Sequence, residues 1–190
     1  MRSVITGIFA FAVAVGVFAG GASAQMGMKD DNPMVGGAAM YKTKNIVENA
    51  VNSADHTTLV TAVKAAGLVE TLASKGPFTV FAPVNSAFDK LPAGTVETLL
   101  KTENKAMLTK VLTYHVVAGN FSAKDIMKAI AKGNGKAEFT TVAGGKIWAS
   151  MDGKNVMIWD EKGGKSMVTI ADVKQSNGVI HVIDTVLLPN

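Results

Sequence analysis

Three histidines, His56, His115 and His181, are the side chains of this sequence best suited to general acid–base work or metal ligation, because an imidazole changes charge near neutral pH. They lie in three separate segments with no shared motif, and His181 has no second histidine or carboxylate at ligand spacing, so the sequence spells out no zinc-type site. His181 is followed three residues later by Asp184 within an apolar run, Val179 to Leu188. The two-residue period of a strand sets His181 beside Val179 and Ile183 and sets Asp184 beside Ile180 and Val182, on the opposite face. The two cannot pair within the strand. Each needs a partner elsewhere, since an unpaired buried polar group costs about 1–3 kcal/mol. No G-x-S-x-G, H-E-x-x-H or glycine-rich phosphate loop is present, and the absence of cysteine excludes thiolate chemistry. The expectation is a non-catalytic protein without a cofactor. Met26, Met28, Met34 and Met40 could be read as thioether copper ligands, but their irregular spacing and lack of a nearby histidine read instead as a flexible linker.

These side chains have to be positioned by elements, and the stretch Gly76 to Pro92 is the most explicit. Phe78 to Ala82 is β-favouring and apolar on both alternating faces, which predicts a strand covered on both sides. Pro83, having no N–H, should end it, and Asn85 stands where a helix N-cap belongs, before Ser86 to Lys90. Upstream, Ile46, Val47, Ala50 and Val51 predict one helix. Leu59, Val60 and Val63 predict a second, opened near Asp55 and closed by Gly67, and a short turn follows from Leu68 to Ala73. Downstream, Val96, Leu99 and Leu100 form one apolar stripe and Met107, Leu108, Val111 and Leu112 another. Tyr114 to Ala118 reads as a short strand. A helix from Ser122 to Ala131 should present Ile126, Met127 and Ile130 on one side, with Ser122 as cap and Asp125 at the third position. From Ala137 onward the period is two, and Gly144-Gly145, Asp152-Gly153, Gly163-Gly164 and Asn177-Gly178 are turn signals of a β-meander. A two-residue loop at Asp152-Gly153 would set Trp148 opposite Met157. The order of elements implies an α+β fold in which the early strand inserts into the later sheet.

Residues 1–24 read as a secretory signal peptide: Arg2, an apolar run from Val4 to Val17, and Ala22-Ser23-Ala24 before Gln25. An uncleaved anchor is the alternative, although the run barely reaches the ~18 residues that a span requires. Residues 25–44 are expected to be a flexible leader and residues 45–190 the domain. No anchor signal follows Pro189-Asn190, so no stable membrane insertion is expected after cleavage. Removal of Arg2 would leave 18 lysines, 15 carboxylates and a net charge of +3. Scattered lysine without arginine offers no bidentate forks for phosphate, which argues against nucleic acid. The expected location is secreted or periplasmic.

Thr79-Val80-Phe81-Ala82-Pro83-Val84-Asn85-Ser86-Ala87-Phe88, then Tyr114-His115, then Asn177-Gly178-Val179-Ile180-His181-Val182-Ile183-Asp184-Thr185-Val186-Leu187-Leu188-Pro189 together resemble the three ordered motifs of the fasciclin-like domain family. Val84 stands where the family usually has threonine. The resemblance covers about 45–189 and implies a β-sandwich or wedge with helices packed along one edge. It also implies an extracellular adhesion module that binds a cell-surface or matrix protein or a glycan. In animal relatives, integrin binding is linked to the Tyr-His segment and to Asp-Ile pairs. The matching positions are Tyr114, His115 and Val116, then Asp125 with Ile126, and Asp172 with Val173 in place of isoleucine. The competing reading of the residues themselves is structural: Tyr114, His115 and His181 as satisfied core or boundary groups, and Asp125 as a helix cap. A carrier of a small apolar ligand, held between sheet and helices, is the alternative function; it requires a cavity of ~300 Å³ or more.

Overall fold

A computed structural model describes residues 32–190. The predicted signal peptide, the leader as far as residue 31, and Met26 and Met28 lie outside the described residues. Strand β3 (Phe78–Pro83) and strand β9 (Gly178–Ile183) carry the first and last motifs, and they pair in parallel, Phe78 opposite Gly178 through Pro83 opposite Ile183. The early strand does insert into the later sheet. Strand β4 (Val116–Ala118) pairs on its other side. On the far side of β9 run β8 (Lys165–Gln175), β7 (Asn155–Trp159), β6 (Lys146–Asp152) and β5 (Lys136–Thr140), giving the order β4-β3-β9-β8-β7-β6-β5. A bridge between Val117 and Thr141 brings the two ends of the sheet together at one corner, so the sheet curls. Thr79 to Pro83 and all of β9 are buried, as strands covered on both faces must be.

Each side of the β3–β9 pair faces its own apolar core. Inside the curl, Phe81, Tyr114, Ile147, Ile158, Ile183 and Leu187 pack with Ile126 and Ile130 of helix α7 (Ala123–Lys132). On the other side Val80, Ala82, Ile180 and Val182 meet α1 (Ile46–Ala50), α2 (Thr57–Ala66), α3 (Val69–Ala73) and α6 (Lys105–Tyr114). Helices set apart in sequence from a mostly antiparallel sheet, most of them against one side of it and α7 inside the curl, make the fold α+β. The short helices α4 (Asn85–Asp89) and α5 (Thr95–Leu100) join the first motif to α6.

Several expectations are corrected by the packing. Val35 and Met40 are core residues, so the packed unit begins before Asn45, at a small hairpin of β1 (Met34–Val35) and β2 (Ala38–Ala39). Gly36 and Gly37 turn it, both at positive φ. Pro83 belongs to β3. Val84 N–H donates to the Ile183 carbonyl, so position 83 turns its nitrogen the other way, where β4 has ended and no donor is missed. Asp184 lies just beyond β9, and Met107 and Met127 are exposed, since the core stripes narrow to Leu108, Val111 and Leu112 on α6 and to Ile126 and Ile130 on α7. The α5 stripe is only half-buried. Tyr114 closes α6 and His115 caps it, leaving the strand to begin at Val116. The β6–β7 loop is Gly153-Lys154, one residue later than expected, because glycine takes the first central position at positive φ, as in a type II′ turn. Trp148 therefore faces Trp159, not Met157.

Candidate functional site

Tyr114 and His115 are set where α6 runs into β4, and both are buried. The Tyr114 hydroxyl donates to the Lys146 carbonyl at 2.6 Å and accepts the Glu161 N–H at 3.1 Å, tying the end of α6 to two loops of the meander. Burial pushes its pKa up to about 12. His115 Nδ1 donates to the Val111 carbonyl at 2.8 Å, and Nε2 accepts the Leu187 N–H at 2.9 Å. Both ring nitrogens are used by the neutral imidazole, which fixes the tautomer. Burial brings the pKa down to about 4. His181 repeats the arrangement in the other core: Nε2 donates to the Phe121 carbonyl at 2.9 Å, Nδ1 accepts the Asp172 N–H at 3.3 Å, and the ring stacks on Phe81 at 5.7 Å. Burial lowers its pKa as well.

The aspartates predicted as surface contacts are likewise committed to the frame. Asp125 and Ser122 form a reciprocal capping box at the start of α7. Asp172 sits in a bulge of β8 at φ 59°, and its carboxylate accepts the Ala123 N–H at 2.7 Å, the first free donor of the same helix. Tyr114, His115, Val116 and Ile126, expected at a partner-binding edge, are all buried in this structure. Asp125 remains exposed and Asp172 half-buried. Asp184 finds its partners across the sheet, accepting the Met167 N–H at 2.9 Å, with Lys90 at 3.4 Å. Partial desolvation raises its pKa, but these groups together with Thr185 hold it below the usual range.

Two asparagines of the motifs act at long range. Asn85 does not cap its own helix, where Val84 holds the cap position. Its Oδ1 accepts the Thr58 N–H at 3.1 Å and its Nδ2 donates to Ala54 at 2.8 Å, so it caps α2 from across the fold. Asn177 accepts the Ile46 N–H and donates to Leu72 and Ser74, joining α1 and α3 to the head of β9. Gly178 follows it because a Cβ there would stand 2.0 Å from the Phe78 carbonyl oxygen.

His56 is the exception. Its Nδ1 lies 2.8 Å from the Ser53 hydroxyl, but its buried Nε2 has no hydrogen-bond partner. It lines an apolar cavity between α1–α3 and the sheet that His115 also borders. Sequence spacing kept these two histidines apart; the fold brings both to the lining of one cavity. The cavity measures about 50 Å³, well below the ~300 Å³ of a drug-sized ligand site. No group of three metal-ligating side chains occurs among the described residues.

The remaining feature is the outer face of β5–β8, which sequence reading passed over. Inward residues Ala137, Ile147, Ile158 and Val168 alternate with outward Glu138, Trp148, Trp159 and Lys165, which lie in one row across four strands. The indole N–H of Trp148 donates to Glu138 at 3.2 Å and that of Trp159 to Ser150 at 2.8 Å. Lys136 stands over the first ring at 4.8 Å and Lys165 over the second at 4.3 Å. Strict alternation around two tryptophans was the available signal, and the misplaced loop hid it.

A curled sheet with parallel motif strands, a helical layer on one side, one helix inside the curl and interior histidines defines the class of domain. The fasciclin domain profile matches residues 54–189, and the chain belongs to the fasciclin domain family. It is 47% identical over 169 residues to "Protein sll1483" of Synechocystis, covering 88% of this chain and 86% of that one. It is 36% identical over 122 residues to "Cell surface glycolipoprotein MPB83" of Mycobacterium bovis, covering 64% of this chain and 48% of that protein. The fold resembles a solved FAS1 domain pair from the insect cell adhesion molecule Fasciclin I, with a TM-score of 0.67 and 20% identity, covering 76% of this chain and 51% of that chain.

Proposed function

We propose that this protein is a non-catalytic, exported interaction module that attaches at the cell surface or matrix to a protein or a glycan through its outer surfaces. One observation carries the reading: Tyr114, His115 and His181, the polar groups of the family motifs, spend both sides of their hydrogen-bonding capacity inside the fold. Groups so committed are framework, and a nucleophile or base needs a free atom facing substrate. The likeness to a cell-surface protein of a mycobacterium supports the location, as does the signal-peptide pattern of residues 1–24. Among the described residues no helix is long and apolar enough to cross a membrane.

The test is capture from the envelope and medium of the source organism with 25–190 as bait, beside native mass spectrometry of protein purified from that source. The reading predicts a retained surface protein or polysaccharide and an empty protein mass. A co-purified small molecule with no captured partner would overturn it in favour of a carrier.

A further inference from the structure

We propose that the outer face of β5–β8 is a binding platform for an acidic polysaccharide, with Trp148 and Trp159 stacking on successive uronic acid rings and Lys136, Lys146 and Lys165 pairing with their carboxylates. This rests on the glycan side of the reading above and names the surface and the sugar class.

Trp148 and Trp159 hold facing positions on adjacent strands, so their two rings share one outer face of the sheet. Each is pinned by its own N–H bond, to Glu138 and to Ser150, so the rings are pre-positioned and little freedom is lost on binding. The C–H faces of a pyranose carry partial positive charge and suit the negative face of an indole. What now covers each ring is a lysine ammonium, Lys136 on one and Lys165 on the other, both of them exposed. A long flexible lysine can swing aside from the ring and meet a carboxylate at its margin. Lys146 is exposed on the same face and holds Glu138 at 2.8 Å. The face thus carries three cations against Glu138, with Glu161 beside Lys146 and Asp152 at the far turn. A neutral glycan would use the rings but leave the lysines unanswered, and a simple polyanion would do the reverse. Together they select a sugar that bears a carboxylate.

The chain has two tryptophans, and both stand on this face, so intrinsic fluorescence reports the site without a label. The full exported protein would be titrated with polygalacturonate, with dextran as the neutral control and poly-glutamate as the polyanion without rings. The expected result is a saturable change in emission with polygalacturonate alone, weakened at least tenfold in Trp159→Ala and Trp148→Ala. Lys165→Gln, which leaves both rings in place, should weaken it several-fold and reduce its salt dependence. Equal response to poly-glutamate, equal response to dextran, or polygalacturonate binding unchanged in the variants would each overturn the proposal. If the envelope capture succeeds with wild type and with the folded Trp148→Ala/Trp159→Ala double variant alike, the platform is wrong while the interaction module stands. Loss in that variant of a captured protein that polygalacturonate cannot displace would also overturn the glycan assignment.

Discussion

His115 is where one side chain does most for the structure. Its ring joins the Val111 carbonyl to the Leu187 N–H, so His115→Ala removes packing and strands two buried backbone groups, each worth about 1–3 kcal/mol. Urea unfolding at pH 7 should show a loss of about 3 kcal/mol or more. The same residue gives acid sensitivity a definite window. A histidine with a folded pKa of about 4 and an ordinary value of 6.5 favours the unfolded chain once that chain can take a proton. Its contribution is fully present above 6.5 and falls as pH drops from 6.5 toward 4, the loss reaching on the order of 3 kcal/mol by the lower end. His56 and His181 act in the same direction. Carboxylates with lowered pKa, such as Asp184, add their losses only below the ordinary carboxylate range. Stability measured from pH 7 to pH 4.5 should therefore decline in the wild type and decline less steeply in a folded His115 variant. An identical slope in both would show that His115 does not carry a shifted pKa. Tyr114 has the opposite sign: its raised pKa gives stability that is intact below pH 10 and lost as pH climbs toward 12.

Among the elements, the two asparagine clasps decide how the helical side is held to the sheet. Asn85→Ala should cost about 1–2 kcal/mol through the lost cap of α2, and amide exchange should quicken at Thr58 ahead of the rest of that helix. Gly178→Ala should cost more than a surface glycine change, because the added methyl meets the Phe78 backbone of the paired strand, which cannot yield like a side-chain tip. A thermal melt of Gly178→Ala beside Gly144→Ala, where a Cβ meets nothing within 4 Å although φ is positive, separates crowding from turn strain. Elements with strong local signals were legible: β3 from its two-sided apolar run, α2 from its stripe and Gly67, α7 from Ser122 and Asp125. What could not be read locally depends on partners far along the chain. Asn85 looks like a local cap, and only packing brings Thr58 to it. The Gly36-Gly37 hairpin read as linker because its burial comes from helices that follow it. The Trp148–Trp159 pairing turned on one residue of loop register, which Asp152-Gly153-Lys154 leaves open until the sheet is built.

At the scale of the whole molecule, the interior is occupied with holding itself together. Two cores lie on either side of β3 and β9, and the motif tyrosine and histidines are buried with them. On the proposed reading, function falls to the surface. The Tyr-His segment was legible in the sequence as a motif but not as a buried one, since the same letters serve an exposed edge or a sealed junction. Burial is a property of the assembled sheet and α6, and on the proposed reading these residues support the surface instead of contacting a partner. The most direct measurement is amide hydrogen exchange on the protein alone and saturated with its captured partner. New protection should appear on solvent-facing segments, with 111–117 already slow and unchanged. Altered exchange at Tyr114 to Val117 on binding would contradict the account, because it would mean that the sealed junction opens to meet the partner.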